Sequence, residues 1–227
     1  MKKKHYECEA TTLEGFIQQL AVSYVGRGYW WYVTGQIPDD KVPADVDQKL
    51  IERYDITWKK WERARRKELG LANLQYIRFR NFFVILASEG EHIFKQREAS
   101  RLQDVRRKGI QFGGYLISYR NGHVQVRIDD ETYRQLKAHY IGLALRRTKD
   151  TLISEFYAAP FEPYSPVKRQ MFNILREVNR LRKVAGFEQI PSSAIWLKRR
   201  IVLPFSKETG SSLAASPNDQ ETNSMPI

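Results

Sequence analysis

Residues 72–88, ANLQYIRFRNFFVILAS, leave the chain little choice of local structure. Tyr76, Ile77, Phe79, Phe82, Phe83, Val84 and Ile85 are β-branched or aromatic, side chains that pack well on a pleated, half-buried surface. Arg80 and Asn81 break the run where a turn fits, so the stretch predicts two strands paired as a hairpin.

Two other stretches read as strands. Residues 111–128, QFGGYLISYRNGHVQVRI, hold Asn121-Gly122 between alternating runs, a strong hairpin signal. That two-residue turn sets a register: Arg120 opposite His123, Tyr119 opposite Val124, Ser118 opposite Gln125, Ile117 opposite Val126. Alternation then gives a core face of Tyr115, Ile117, Tyr119, Val124, Val126 and Ile128. The other face, Ser118, Arg120, His123, Gln125 and Arg127, is polar or cationic and has no acid. Residues 29–37, YWWYVTGQI, form the first strand. Both its faces begin aromatic, so either it is buried on both sides or one face, with Trp30 and Tyr32, is a platform.

Helical patterns fill the intervals. Thr11 and Glu14 stand at capping-box spacing beside Leu13, Phe16, Ile17 and Leu20, and Gly26 and Gly28 end that helix. Pro43 opens a short helix whose Val46, Leu50 and Ile51 point inward. Thr57 precedes WKKWERARRKELG, with Trp58, Trp61 and Leu69 as its apolar side and Lys59, Lys60, Arg63, Arg66 and Lys67 as its basic side. A further helix is expected over 94–108, stopped by Gly109. Asp129 and Asp130 cap one over 131–147, and a shorter one covers 151–158. After the proline-rich connector 160–166, Ser165 caps the clearest helix and Pro166 opens it. Val167, Met171, Ile174, Leu175, Val178, Leu181 and Ala185 fall at steps of three and four, and Gly186 closes it. Its outer side carries Lys168, Arg169, Arg176, Arg180, Arg182 and Lys183.

Charge bounds the partners. The chain has 38 Lys and Arg against 26 Asp and Glu, a formal net charge of +12, and such an excess favours a polyanion. Residues 131–205 hold 14 Lys and Arg against six Asp and Glu, so the C-terminal helical part is the more basic per residue. The single cysteine, Cys8, excludes an intrachain disulfide and Cys-rich zinc modules. No apolar run approaches the roughly 18 residues of a membrane span, and MKKKHYECEA lacks the apolar core of a secretory signal. A cytoplasmic protein without a membrane partner is expected. Residues 206–227 are polar, lack aromatics and are expected to be disordered.

In order, strand, helices, strand, strand, helix, strand, these elements resemble the split βαββαβ unit of ferredoxin-like domains. The Asn121-Gly122 hairpin would add a fifth strand. RNA-recognition motifs and HUH single-strand nucleases both use such a sheet. The His-x-His pair of the HUH nucleases is absent, and the corresponding strand reads Phe83-Val84-Ile85. Arg80-Asn81-Phe82-Phe83-Val84 only echoes the RNA-recognition signature. Gly-x-Ser-x-Gly, phosphate-loop and paired-Cys motifs are absent as well.

The expectation is a single α+β domain over 1–150 with a ferredoxin-like antiparallel sheet of about five strands. A basic helical extension over 151–205 packs on it. The chain is expected to bind nucleic acid, single-stranded or structured rather than sequence-read duplex. Arg120, His123, Gln125 and Arg127 supply contacts from the sheet face. Lys168, Arg169, Arg176, Arg180, Arg182 and Lys183 supply phosphate contacts from the long helix. The alternative is a metal-dependent nuclease or strand-transfer enzyme. It would hold a divalent ion with Glu89, Glu91 and His92, with Asp129 or Asp130 nearby, and use Tyr140 as nucleophile. No other cofactor is expected. A third reading is an interaction protein whose basic face meets an acidic protein partner.

Overall fold

In the computed structural model, which describes residues 6–196 and 202–205, the strands divide between two antiparallel sheets. α1 (Leu13–Gln18) runs on through a π-helical turn and a 3-10 turn to Gly28, whose φ of +93° ends it. Its cap is Thr12, not Thr11: the Thr12 hydroxyl accepts from Gly15 N at 3.1 Å. β1 (Trp31–Gln36) follows, then α2 (Pro43–Arg53) and α3 (Lys60–Glu68). The expected hairpin forms as β2 (Leu74–Phe79) and β3 (Phe82–Ala87), turning at Arg80 and Asn81. α4 (Ile93–Arg97) is short, and β4 is Gln103–Asp104.

The first sheet has the order β2-β3-β1-β4. Its fourth strand is not the one the sequence pattern suggests. The helix expected over 94–108 stops at Arg97, and Gln103 and Asp104 pair with Tyr32 and Trp31. Val105 N donates to Trp30 O at 2.8 Å, which continues the pairing. The Asn121-Gly122 hairpin therefore does not extend this sheet. It belongs to a second sheet of β5 (Ile110–Phe112), β6 (Tyr115–Arg120) and β7 (His123–Ile128). Within that sheet the expected register holds, from Arg120 opposite His123 to Ile117 opposite Val126. Asn121 and Gly122 have φ of +52° and +80°, the two left-handed residues that a tight, right-twisted hairpin turn requires.

α5 (Asp130–Leu143), α6 (Lys149–Tyr157) and α7 (Ser165–Val184) complete the described structure. α7 starts one residue earlier than the capping pattern implies and lies along β7. There Gln170 acts as a surrogate strand: its amide accepts from Ile128 N at 2.8 Å and donates to Ile128 O at 2.9 Å. Among the described residues no helix is long and apolar enough to cross a membrane.

Two buried clusters flank the four-stranded sheet. Val33, Tyr76 and Ile85 point to one side, against Tyr54, Ile56 and Phe94 of the α2 and α4 region. Tyr32, Ile77, Val84 and Leu86 point to the other, in one cluster with Phe16 and Leu20 of the N-terminal helix, Ile117 and Val126 of the second sheet, and Met171 and Ile174 of α7. β1 is thus buried on both faces.

One polar group is built into the first cluster. Arg78 and Asp47 are both buried, with Arg78 Nε 2.9 Å from Asp47 Oδ1. The Tyr76 hydroxyl donates to the same carboxylate, and the Cys8 thiol lies 3.5 Å from Asp47 Oδ2. Arg78 also reaches Glu9 at 3.0 Å and Arg80 O at 2.6 Å. It therefore joins α2, the hairpin turn and the segment preceding α1, whose Glu9 bridges the edge of β2. Burial, then the Asp47 carboxylate, pushes the Cys8 thiol up to about 12. Arg78→Ala leaves Asp47 buried without its counter-ion and is expected to cost about 3–5 kcal/mol in urea unfolding. Replacing both charges together, Asp47→Asn with Arg78→Met, should cost much less. Cys8 should resist a thiol-specific disulfide reagent at pH 8 in the folded protein and react at once when it is unfolded in urea.

Candidate functional site

The outer side of α7 carries a cationic surface that the sequence singled out, with Lys168, Arg169, Arg176, Arg180 and Lys183 exposed. A groove of about 620 Å³ runs beside it, lined by Lys168, Arg169 and Arg176 together with Phe172, Leu175 and Ile190. The apolar stripe of α7 (Val167, Met171, Ile174, Val178) is turned fully into the core, which forces its cations outward. Asn179 fixes the far wall, donating to Ile190 O and accepting from Ile190 N, each at 2.8 Å. Among the described residues no carboxylate lies within ion-pair distance of Lys168, Arg169, Arg176 or Lys183. Arg176 donates to the neutral Asn173 side chain at 2.7 Å and keeps its charge uncompensated. Arg180 is shared with Glu177 at 3.2 Å.

Arg182 is a correction. Sequence periodicity puts it on the outer side, yet it is only 2% exposed. Its guanidinium donates to Ala144 O, Arg147 O and Glu188 O at 2.7, 3.1 and 2.6 Å. These carbonyls close the end of α5 and the turn after α7, so Arg182 is a clamp and not a phosphate contact. The missed signal is its spacing, four residues after Val178 on the buried stripe.

The hairpin face is less free than its alternation implies. Arg120 and His123 are exposed, with Arg120 donating to Arg107 O at 3.1 Å. Gln125 is half-buried beside the His123 ring. Arg127 is paired with Asp130 at 2.6 Å, an acid brought from the first turn of α5. That guanidinium holds the Asp130 carboxyl below its ordinary range.

The aromatic platform does not form. Tyr32 is 3% exposed, and its hydroxyl donates to Gln103 Oε1 at 2.7 Å. Trp30 is covered by Arg106, 4.5 Å from its ring centroid, and packs against Tyr119 at 5.2 Å. Arg106 in turn is held by Asp104 at 2.8 Å and Glu89 at 3.0 Å.

The nuclease candidates have other partners. Glu89 also accepts from the Trp31 indole at 2.9 Å. His92 caps α4, its Nδ1 accepting from Phe94 N at 3.0 Å, and burial lowers its pKa, with the Arg66 charge adding to the effect. The Glu91 side chain is exposed, while its backbone pairs with Gly70 and Ala72. Tyr140 is buried and stacked on Phe156 at 4.1 Å, its hydroxyl donating to Glu155 O. Burial pushes that phenol up to about 12. Asp129 is spent on capping α5. Among the described residues no three His, Cys, Asp or Glu side chains are grouped to hold a metal ion.

No protein-family model matches this chain, and no curated protein sequence matches it either. Arg182→Ala is expected to lower stability by about 3 kcal/mol in urea or thermal unfolding, by stranding three carbonyls. Lys183→Ala, one residue on and exposed, should leave the unfolding midpoint unchanged.

Proposed function

We propose that the chain binds nucleic acid, single-stranded or structured in preference to sequence-read duplex, and that the α7 groove is its main contact. The observation that carries this is the groove's composition: three cations without acid partners bordering an apolar floor that includes the Phe172 ring. Cations neutralise phosphates, and an aromatic floor receives a base only where that base is unstacked. Duplex DNA keeps its bases paired, so it gains the charge contacts alone. Arg120 and His123 add contacts from the hairpin, and Arg127 would have to release Asp130 to join them.

The four-stranded half is read as a ferredoxin-like unit, a reading that its β2-β3-β1-β4 order supports. Residues 151–205 are read as a basic extension of the 1–150 domain, which the burial of Met171 and Ile174 beside Ile117 and Val126 supports. A cytoplasmic setting goes with this reading. The predicted tail, residues 206–227, lies outside the described residues.

Fluorescence anisotropy with labelled single-stranded and duplex DNA and RNA tests the proposal. Affinity should fall with salt. Lys168→Glu with Arg176→Glu should lower the single-strand salt slope by roughly 1.4, about 0.7 for each phosphate that the variant no longer neutralises. Phe172→Ala should cost single-strand binding about 1–3 kcal/mol and leave duplex binding nearly unchanged. Unaltered affinity in both variants would reject the groove. A magnesium or manganese arm followed on a gel separates a binder, which leaves the strand intact, from a nuclease.

A further inference from the structure

The faces of α3 follow its sequence pattern only in part: Trp58 is half-buried and Lys59, Lys60 and Lys67 are exposed as expected, but four other residues exchange sides. Trp61 and Leu69, which the pattern assigns to the core, are 63% and 66% exposed. Arg63 and Arg66, which it assigns to solvent, turn inward. Arg63 donates to Trp58 O at 2.7 Å, and Arg66 donates to Ala72 O at 2.9 Å while lying 4.8 Å over the Trp58 ring. Asn73 Nδ2 donates to Arg63 O at 2.9 Å, and Leu71 N donates to Arg66 O at 2.9 Å. α3 buries none of its residues, yet these hydrogen bonds pin it to the start of β2.

What the helix presents outward is an aromatic ring with more cations than acids around it: Lys60, Arg65 and Lys67 are exposed, against Glu68. Trp61 and Arg65 are four residues apart and share an exposed face with Glu68, while Lys60 and Lys67, seven residues apart, are exposed together on the adjoining side of the helix. Trp30, Trp31 and Trp58 each carry a cation over the ring, whereas among the described residues Trp61 has none. Of the two carboxylates on α3, Glu62 accepts from Lys59 N at 2.6 Å, and Glu68 is exposed at the C-terminal end with no ion-pair partner among the described residues. Lys60, Arg65 and Lys67 have no ion-pair partner among the described residues.

We propose that α3 is a second nucleic-acid contact, in which Trp61 stacks on an unpaired base and Lys60, Arg65 and Lys67 neutralise the flanking phosphates. This rests on the nucleic-acid reading of α7 and adds a separate surface in the other half of the molecule. Charge complementarity selects a polyanion, and the bare indole selects one with exposed bases.

The test uses the full chain and a labelled single strand of roughly 30 nucleotides, long enough for more than one contact surface. Trp61→Ala and Lys60→Glu with Lys67→Glu are compared with Lys168→Glu with Arg176→Glu. Trp61→Ala is expected to weaken binding about tenfold with an unchanged melting temperature. A saturating strand should quench the tryptophan emission of the wild type more than that of Trp61→Phe. Wild-type affinity in both α3 variants, while the α7 variant binds more weakly, overturns this proposal and leaves the α7 reading standing. Absence of binding by the wild type at low salt overturns both. If poly-glutamate competes as well as the strand and Trp61→Ala does not alter that, the face takes an acidic protein, and the stacking proposal fails.

Discussion

Val33, Tyr76 and Ile85 leave one side of the four-stranded sheet, and Tyr32, Ile77, Val84 and Leu86 leave the other, so the sheet has two apolar faces to cover. The α2 and α4 region covers one. The second face needs additional chain. The N-terminal helix, the second sheet and α7 supply it, and they share one buried cluster with it. Neither face of the four-stranded sheet is therefore left open. A face that some α+β proteins leave open for bases is here sealed, and what remains accessible are helices and the hairpin end.

Arginine has two distinct employments in this molecule. Arg78, Arg182, Arg63 and Arg66 spend their donors on backbone carbonyls or a buried carboxylate; the first two join elements distant in sequence, and the last two tie α3 to its flanking residues. A planar guanidinium suits that work because its several donors reach different acceptors at once. Lys168, Arg169, Arg176, Lys60, Arg65 and Lys67 stand exposed without carboxylates. Net charge counts both groups alike, but only the second is available to a polyanion. The usable positive surface is therefore smaller and more localised than the composition implies.

The cationic outer side of α7 was legible because a twenty-residue helix with a regular apolar stripe turns that stripe to the core and Lys168, Arg169 and Arg176 outward; the groove beside it, walled by Ile190, was not. The hairpin register was legible for the same local reason, since Asn121-Gly122 admits one tight turn. Arg182 and α3 were misread because amphipathic patterns assume that apolar burial orients a helix. At these places guanidinium groups turn inward to hydrogen-bond carbonyls, and in α3 Trp61 and Leu69 are left exposed. Asp47 and Arg78 were legible in principle. Arg78 follows Tyr76 by two residues and so shares its inward face, and Asp47 precedes Leu50 and Ile51 by three and four.

Local chemistry settled the elements: alternating β-branched and aromatic runs made the strands, Asn121-Gly122 made its turn, and steps of three and four made α7. Long-range competition settled how they assemble. Whether the 111–128 hairpin extends the first sheet or stacks across it depends on which edge and which face are still open. Gln103 and Asp104 take the free edge of β1, so the hairpin buries its Tyr115, Ile117, Val126 and Ile128 on the common core instead. No local pattern encodes that outcome, because it depends on edges and faces formed by residues far apart along the chain.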